Sequence, residues 1–118
     1  MRYALLIYVN GDARERMADE QRRRMNAGVA EVVARPGVSG WLRLQRIETA
    51  TTMHNERGRT LLTDGPFVDS KDYLGGLVIV EADDLDGALA VAEELQELRD
   101  GTGAIEIRPV NEEPLLGA

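Results

Sequence analysis

From Arg2 to Val9 the chain runs RYALLIYV, apolar on both sides of a strand alternation, and it stops at Asn10-Gly11-Asp12. That pattern predicts a strand followed by a turn. Tyr3, Leu5, Ile7 and Val9 fall on one face, and Ala4, Leu6 and Tyr8 on the other. Both faces need cover, and a single layer of helices supplies it to only one of them. From about Ala13 to Ala34 the period changes. Met17, Met25, Val29, Val32 and Val33 recur near 3.6 residues, with Gln21 as the polar interruption, and Pro36-Gly37 closes the predicted helix.

Val38 to Glu48 (VSGWLRLQRIE) reads as extended, with Trp41, Arg43, Gln45 and Ile47 on one face and Leu42, Leu44 and Arg46 on the other. Ala50–Asn55 and Arg59–Thr63 flank a predicted hairpin turn with Gly58 at positive φ. Asp64 to Asp72 reads as a loop. Tyr73 to Glu81 (YLGGLVIVE) is a second strand apolar on both faces, where Gly75-Gly76 marks a bulge or a close approach. Asp83-Asp84 starts a second helix, with Leu85, Ala88, Leu89, Ala92 and Leu95 as its stripe and Asp100-Gly101 as its end. Ala104 to Val110 is the last strand, and the tail 111–118 reads as loosely held.

This order predicts an α+β fold: a ferredoxin-like antiparallel sheet with two helices on one face. The other sheet face remains apolar in its long strands. A second copy packing sheet to sheet about a two-fold axis would cover it, so a homodimer is expected.

Composition narrows the function classes. With 118 residues the chain suits one domain, 1–118, large enough for a core without staples. It has no Cys, which excludes thiolate chemistry and Cys-held metals, and with one His any His-rich metal site would need ligands from a second subunit. A net charge of −7 argues against nucleic acid as a partner. No apolar run nears the ~20 residues of a membrane span, so no membrane partner is expected, and the location is expected to be cytoplasmic. The charge is unevenly spread. Residues 1–59 carry 11 Arg against 7 acids, whereas residues 60–118 carry 3 bases against 14 acids. Two solvated helix faces of opposite sign account for this, and so would the steering of two copies into register. Lys71 is the only Lys among 14 bases.

The most distinctive string is Thr63-Asp64-Gly65-Pro66-Phe67, followed by Lys71 and Leu74-Gly75-Gly76. With the opening RYALLIY, the ATT at Ala50–Thr52, the DLDGAL of the second helix and the closing IEIRPV, it resembles the YCII-related proteins of the DGPF-domain type. The resemblance implies a dimeric α+β barrel and no one reaction. It also implies a possible link to sigma factors of the extracytoplasmic-function kind. The wider superfamily includes muconolactone-isomerase-like enzymes and cofactor-free monooxygenases. The family's His–Asp dyad does not transfer, because His54 has no matching His-x-Asp spacing.

The candidate catalytic residues are Asp64, as a base if its loop desolvates it, and His54, by residue type. Each has an ordinary structural role available: Asp64 bonding its own turn, and His54 bonding a strand neighbour. The candidate ligand-binding residues are Gly65, Pro66, Phe67, Lys71, Arg43, Trp41 and Tyr8. Arg43 and Arg46 lie on opposite strand faces, and whichever points inward needs a carboxylate or an anionic ligand. Asp64, Asp69 and Asp72 do not have a recognised cation-ligand spacing, so neither metal nor cofactor is expected. The leading expectation is a small-metabolite binding module with a cleft between sheet and helices, bordered by the Asp64–Phe67 loop. The competing one is a cofactor-free isomerase, lyase or monooxygenase acting on a small cyclic substrate.

Overall fold

The structure is a computed structural model that describes residues 1–116. β1 (Arg2–Asn10) leads into a short helix α1 (Gly11–Arg16) and then α2 (Asp19–Val33). Next come β2 (Val38–Arg43), a 3-10 turn at Ile47–Thr49, β3 (Thr51–Glu56) and β4 (Arg59–Asp64). β5 (Asp72–Glu81), α3 (Leu85–Leu98) and β6 (Ala104–Pro109) complete the chain. The main sheet has the order β2-β5-β1-β6 with every neighbouring pair antiparallel, and β3-β4 is a separate two-stranded ribbon. The fold is α+β, with the two long helices packed on one sheet face.

The core lies between that face and the helices. Tyr3 and Leu5 of β1, Val78 and Val80 of β5, Val32 and Val33 of α2, and Ala88, Ala92 and Leu95 of α3 are all buried. The alternation that buries Leu5 sends Ala4, Leu6 and Tyr8 to the far face, where Leu77 and Ile79 of β5 and Leu42 of β2 join them by register. No element of the described chain lies across these side chains.

Four local predictions need correction. The helix expected over 13–34 is two helices, because Met17 and Ala18 are extended. The break redirects the chain so that Met17 turns inward beneath α1. Asn10, expected in a turn, is the helix cap instead, its Oδ1 accepting from the Ala13 amide at 3.0 Å. The extension expected to Glu48 stops at Arg43, since beyond it the partner strand β5 is bulged. On α3, Leu85 and Leu89 are exposed, and the buried stripe is Ala88, Ala92 and Leu95.

The glycine pair has the expected consequence. Gly75 is the extra residue of a bulge opposite Ile7 and Tyr8, and a Cβ there would lie 2.4 Å from Val9 Cγ2. On Gly76 a Cβ would meet the Leu42 carbonyl oxygen at 3.0 Å, so β2 approaches β5 more closely than a side chain permits.

The tail is tied to β1 where it leaves β6. The Val110 amide donates to Arg2 O at 2.9 Å, and Arg2 Nε pairs with Glu112 at 2.5 Å. The last two residues of the predicted loose tail lie outside the described residues.

The β3-β4 ribbon projects as an arm. It makes no extended contact with any other strand or helix, and the radius of gyration is 16.5 Å. A compact chain of this length has about 13.5 Å. The arm is nonetheless well built, with Arg57 (φ 50°) and Gly58 (φ 78°) forming the tight two-residue turn that matches strand twist.

Candidate functional site

Behind the helix break, between α2 and the sheet, lies a cavity of about 170 Å³. Its walls are mostly apolar: Ile7 and Val9 of β1, Val78 of β5, Trp41 of β2, and Met17, Met25 and Val29 from the helical side. Gly75 and Gly76 form part of the floor, so the residues that permit the bulge also make the space. The volume is close to the ~150 Å³ that in an engineered cavity admits one benzene ring.

Every charged side chain lining this cavity is an arginine: Arg14 of α1, Arg22 of α2, Arg43 of β2, and Arg99 just past α3. Arg43 Nη1 donates to Asn26 Oδ1 at 3.3 Å, and Arg22 pairs with Asp19 at 3.2 Å on the solvent side. Arg99 is the unusual one, because it is only 9% exposed. Its guanidinium donates to the Tyr8 carbonyl oxygen and, at 3.1 Å, to Gln96 Oε1, both neutral acceptors. Burial without a carboxylate partner holds the Arg99 pKa below its ordinary value. The Gln96 amide in turn donates to the Gly103 carbonyl oxygen at 3.2 Å, which fixes this end of α3 against the loop. Gly103 has φ +70°, and a Cβ on it would lie 2.2 Å from the Tyr8 carbonyl oxygen. A glycine is required there.

The sequence-derived candidates divide between body and arm. Trp41 and Arg43 line the cavity. The Tyr8 side chain belongs to the opposite sheet face, and Tyr8 meets the site through its carbonyl oxygen. Lys71 lines a second, polar cavity of about 550 Å³ that adjoins the first. Asp64, Gly65, Pro66, Phe67 and His54 all belong to the arm and line neither cavity.

The cleft between sheet and helices is therefore bordered by α1 and the end of β2, not by the Asp64–Phe67 loop. The reason is local bonding. The Gly65 amide donates to the Ala50 carbonyl oxygen at 2.7 Å, and Thr52 Oγ1 donates to the Gly65 carbonyl oxygen at 2.8 Å, which closes the loop onto the arm's own base. Asp64 is exposed, pairs with Thr51 across the ribbon, and makes no side-chain hydrogen bond among the described residues. His54 Nδ1 is buried without a partner, its ring 6.4 Å from that of Phe67 at an interplanar angle of 53°.

Sequence reasoning missed Arg14, Arg22 and Arg99 as site residues. A signal for Arg99 was present, since it continues the helical spacing of Ala88, Ala92 and Leu95. A charge in phase with a buried stripe either snorkels or has a polar environment built for it. Arg14 and Arg22 had no such signal, because the helix break that turns them toward one space is not legible in their spacing. No group of His, Cys, Asp or Glu among the described residues is arranged to hold a metal ion, and no described helix is long and apolar enough to cross a membrane.

Comparison with known proteins now bears on this geometry. Residues 1–113 match the YCII-related domain. The chain belongs to the YCII-related family. A relative in Rhizobium meliloti (strain 1021), the uncharacterized protein R00369, is 30% identical over 93% of this chain and 92% of its own. Among solved structures, the chain is similar to the 5-chloro-2-hydroxyhydroquinone dehydrochlorinase of Burkholderia phenoliruptrix AC1100, solved in complex with 2,5-dihydroxybenzoquinone. That likeness covers 100% of both chains with a TM-score of 0.50 and 14% identity. The divalent cation tolerance protein of Thermus thermophilus aligns over 97% of this chain and 88% of its own, with a TM-score of 0.44 and 15% identity. The likeness to the dehydrochlorinase concerns the fold alone.

Proposed function

We propose that this YCII-related chain is a homodimeric binding protein for a small organic anion with an apolar, ring-sized body, acting in a regulatory or auxiliary role. One observation carries the reading: the cavity is apolar in its walls, and all of its charged side chains are arginines. An uncompensated buried cation such as Arg99 is costly, and an anion seated nearby offsets that cost. Arg43, held by one neutral contact to Asn26, is free to form the bidentate pair that a carboxylate favours. No carboxylate or imidazole of the described residues lines the cavity to serve as a base, which favours binding over turnover.

The homodimer rests on the apolar face opposite the helices, where Leu6, Leu77, Ile79 and Leu42 form a continuous patch that a second sheet can cover. The variant Leu6→Asp is expected to be monomeric by light scattering at micromolar concentration while retaining its helical circular dichroism. A wild-type monomer would remove the dimer from this reading.

Thermal-shift measurement with benzoate, cyclohexanecarboxylate and the neutral benzamide tests the ligand class. The two carboxylates are expected to raise Tm by about 10 °C at a hundredfold excess over Kd, and benzamide to do little. Arg43→Met is expected to abolish the difference. Equal shifts with benzamide, or none with any anion, would overturn the reading.

A second reading, a cofactor-free enzyme, is favoured by the unpartnered His54 Nδ1 beside Phe67, which would act as a base if the arm closed over a site. It requires turnover that is lost in His54→Gln with ligand affinity unchanged.

A further inference from the structure

We infer that the ligand carries a second acidic group, held in the adjoining polar cavity by Lys71. This rests on the anion-binding reading above and extends it to the ligand's class: a dianion with a ring-sized apolar end and a second acid on a short chain. Arg14 and Arg22 line both cavities, so the apolar space of about 170 Å³ and the polar one of about 550 Å³ share a wall of two cations. A molecule whose ring fills the first therefore projects its substituents past these arginines into the second.

The charges of the second cavity are not equally available. Arg46 is taken up by Glu48 at 3.3 Å, with Glu15 at 4.0 Å on its other side, so these three leave one negative charge. Asp12 contributes one more. Against these stand Arg14 and Lys71, neither with a carboxylate partner among the described residues, and Arg22, whose one acid lies outside in solvent. The surplus facing the cavity is positive. The backbone at Lys71 is held in place, since its carbonyl oxygen accepts from the Gly11 amide at 3.0 Å and the neighbouring Asp72 accepts from Asn10 Nδ2 at 3.1 Å. These bonds hold the loop against the start of α1, so that Lys71 and Arg14 line the same cavity. The second space, too polar for the ring and larger than one carboxylate needs, suits a hydrated acidic chain.

The test is calorimetric titration with 2-phenylbutyrate and 2-phenylglutarate, which share ring and first carboxylate and differ in a terminal carboxylate. Wild type is expected to bind the dianion at least tenfold more tightly. Lys71→Met, at an exposed position that leaves the core untouched, is expected to bring the two within about twofold without altering 2-phenylbutyrate binding. Equal affinities in wild type, or a Lys71→Met effect on both ligands alike, would overturn the inference and leave the anion-binding reading standing. Failure of both ligands to bind would instead overturn the reading on which it depends.

Discussion

The body and the arm of this molecule are written in the same strand alternation and end in opposite environments. In β1 the alternation buries Tyr3 and Leu5 beneath two helices. In the arm the same period places Met53 opposite Leu62, where they are 68% and 65% exposed, while Phe67 at the end of the ribbon is 77% exposed. An apolar face therefore states which side chains travel together, and only the neighbouring elements state whether water is removed from them. An isolated two-stranded ribbon is marginal in water, so the arm depends on its short cross-bonds and on whatever lies against it.

Five variants break or sharpen this comparison. Leu5→Ala removes a fully buried side chain and is expected to cost about 3 kcal/mol in urea unfolding, whereas Met53→Ala is expected to cost under about 0.5 kcal/mol in the isolated protomer. Comparable losses would mean that the arm is packed as tightly as the core. Next in size, Gly103→Ala drives a methyl into the Tyr8 carbonyl oxygen at a positive-φ position. A loss of about 2 kcal/mol is expected, with the cavity weakened through Arg99. Wild-type stability in that variant would show that the Arg99 contact is slack.

The double variant Met53→Ser with Leu62→Ser addresses the arm in an assembly. If a second copy lies against this face, sedimentation should show dimer dissociation rising about tenfold, equivalent to about 1.4 kcal/mol, with protomer stability unchanged. An unaltered dimer constant would mean that the face is solvated.

The smallest effect concerns pH. The hydrogen bond from Arg2 holds the Glu112 carboxyl below its usual pKa, and Arg35 does the same to Glu94. A depressed acid pKa stabilises the folded chain above the unfolded value, and that contribution disappears as pH falls through the carboxylate range toward the folded one. Both pairs are surface pairs, so Glu112→Gln should flatten the acid limb of a Tm-against-pH profile slightly. A steeper limb in the variant would reverse the assigned sign.

Much of the fold was legible because its signals are local. The positive φ at Gly58, the Asp84 cap that accepts from the Gly87 amide, and the bulge at Gly75 follow from backbone sterics and short-range bonds. The site was legible only in part. Trp41 and Arg43 were placed by alternation along one strand, but His54 was proposed by residue type alone, and Asp64 and Phe67 through a loop expected to border the cleft. Their position depends on the direction in which a ribbon leaves the sheet, and residue type carries no information about direction. Arg14 and Arg22 were missed for a related reason, since two extended residues at Met17-Ala18 reorient a whole helix without altering its period.

By itself, then, the sequence determined the order of the elements, the two-faced apolar strands and the family. Those properties are written in spacings of two and 3.6 residues and in a few strings such as TDGPF. The tertiary structure decided that four arginines far apart in the chain share one cavity without an acid among the described residues, and that the chain's most distinctive loop lies away from it. The physical reason is that burial of charge depends on which elements meet, and their meeting is set by packing across the whole sheet.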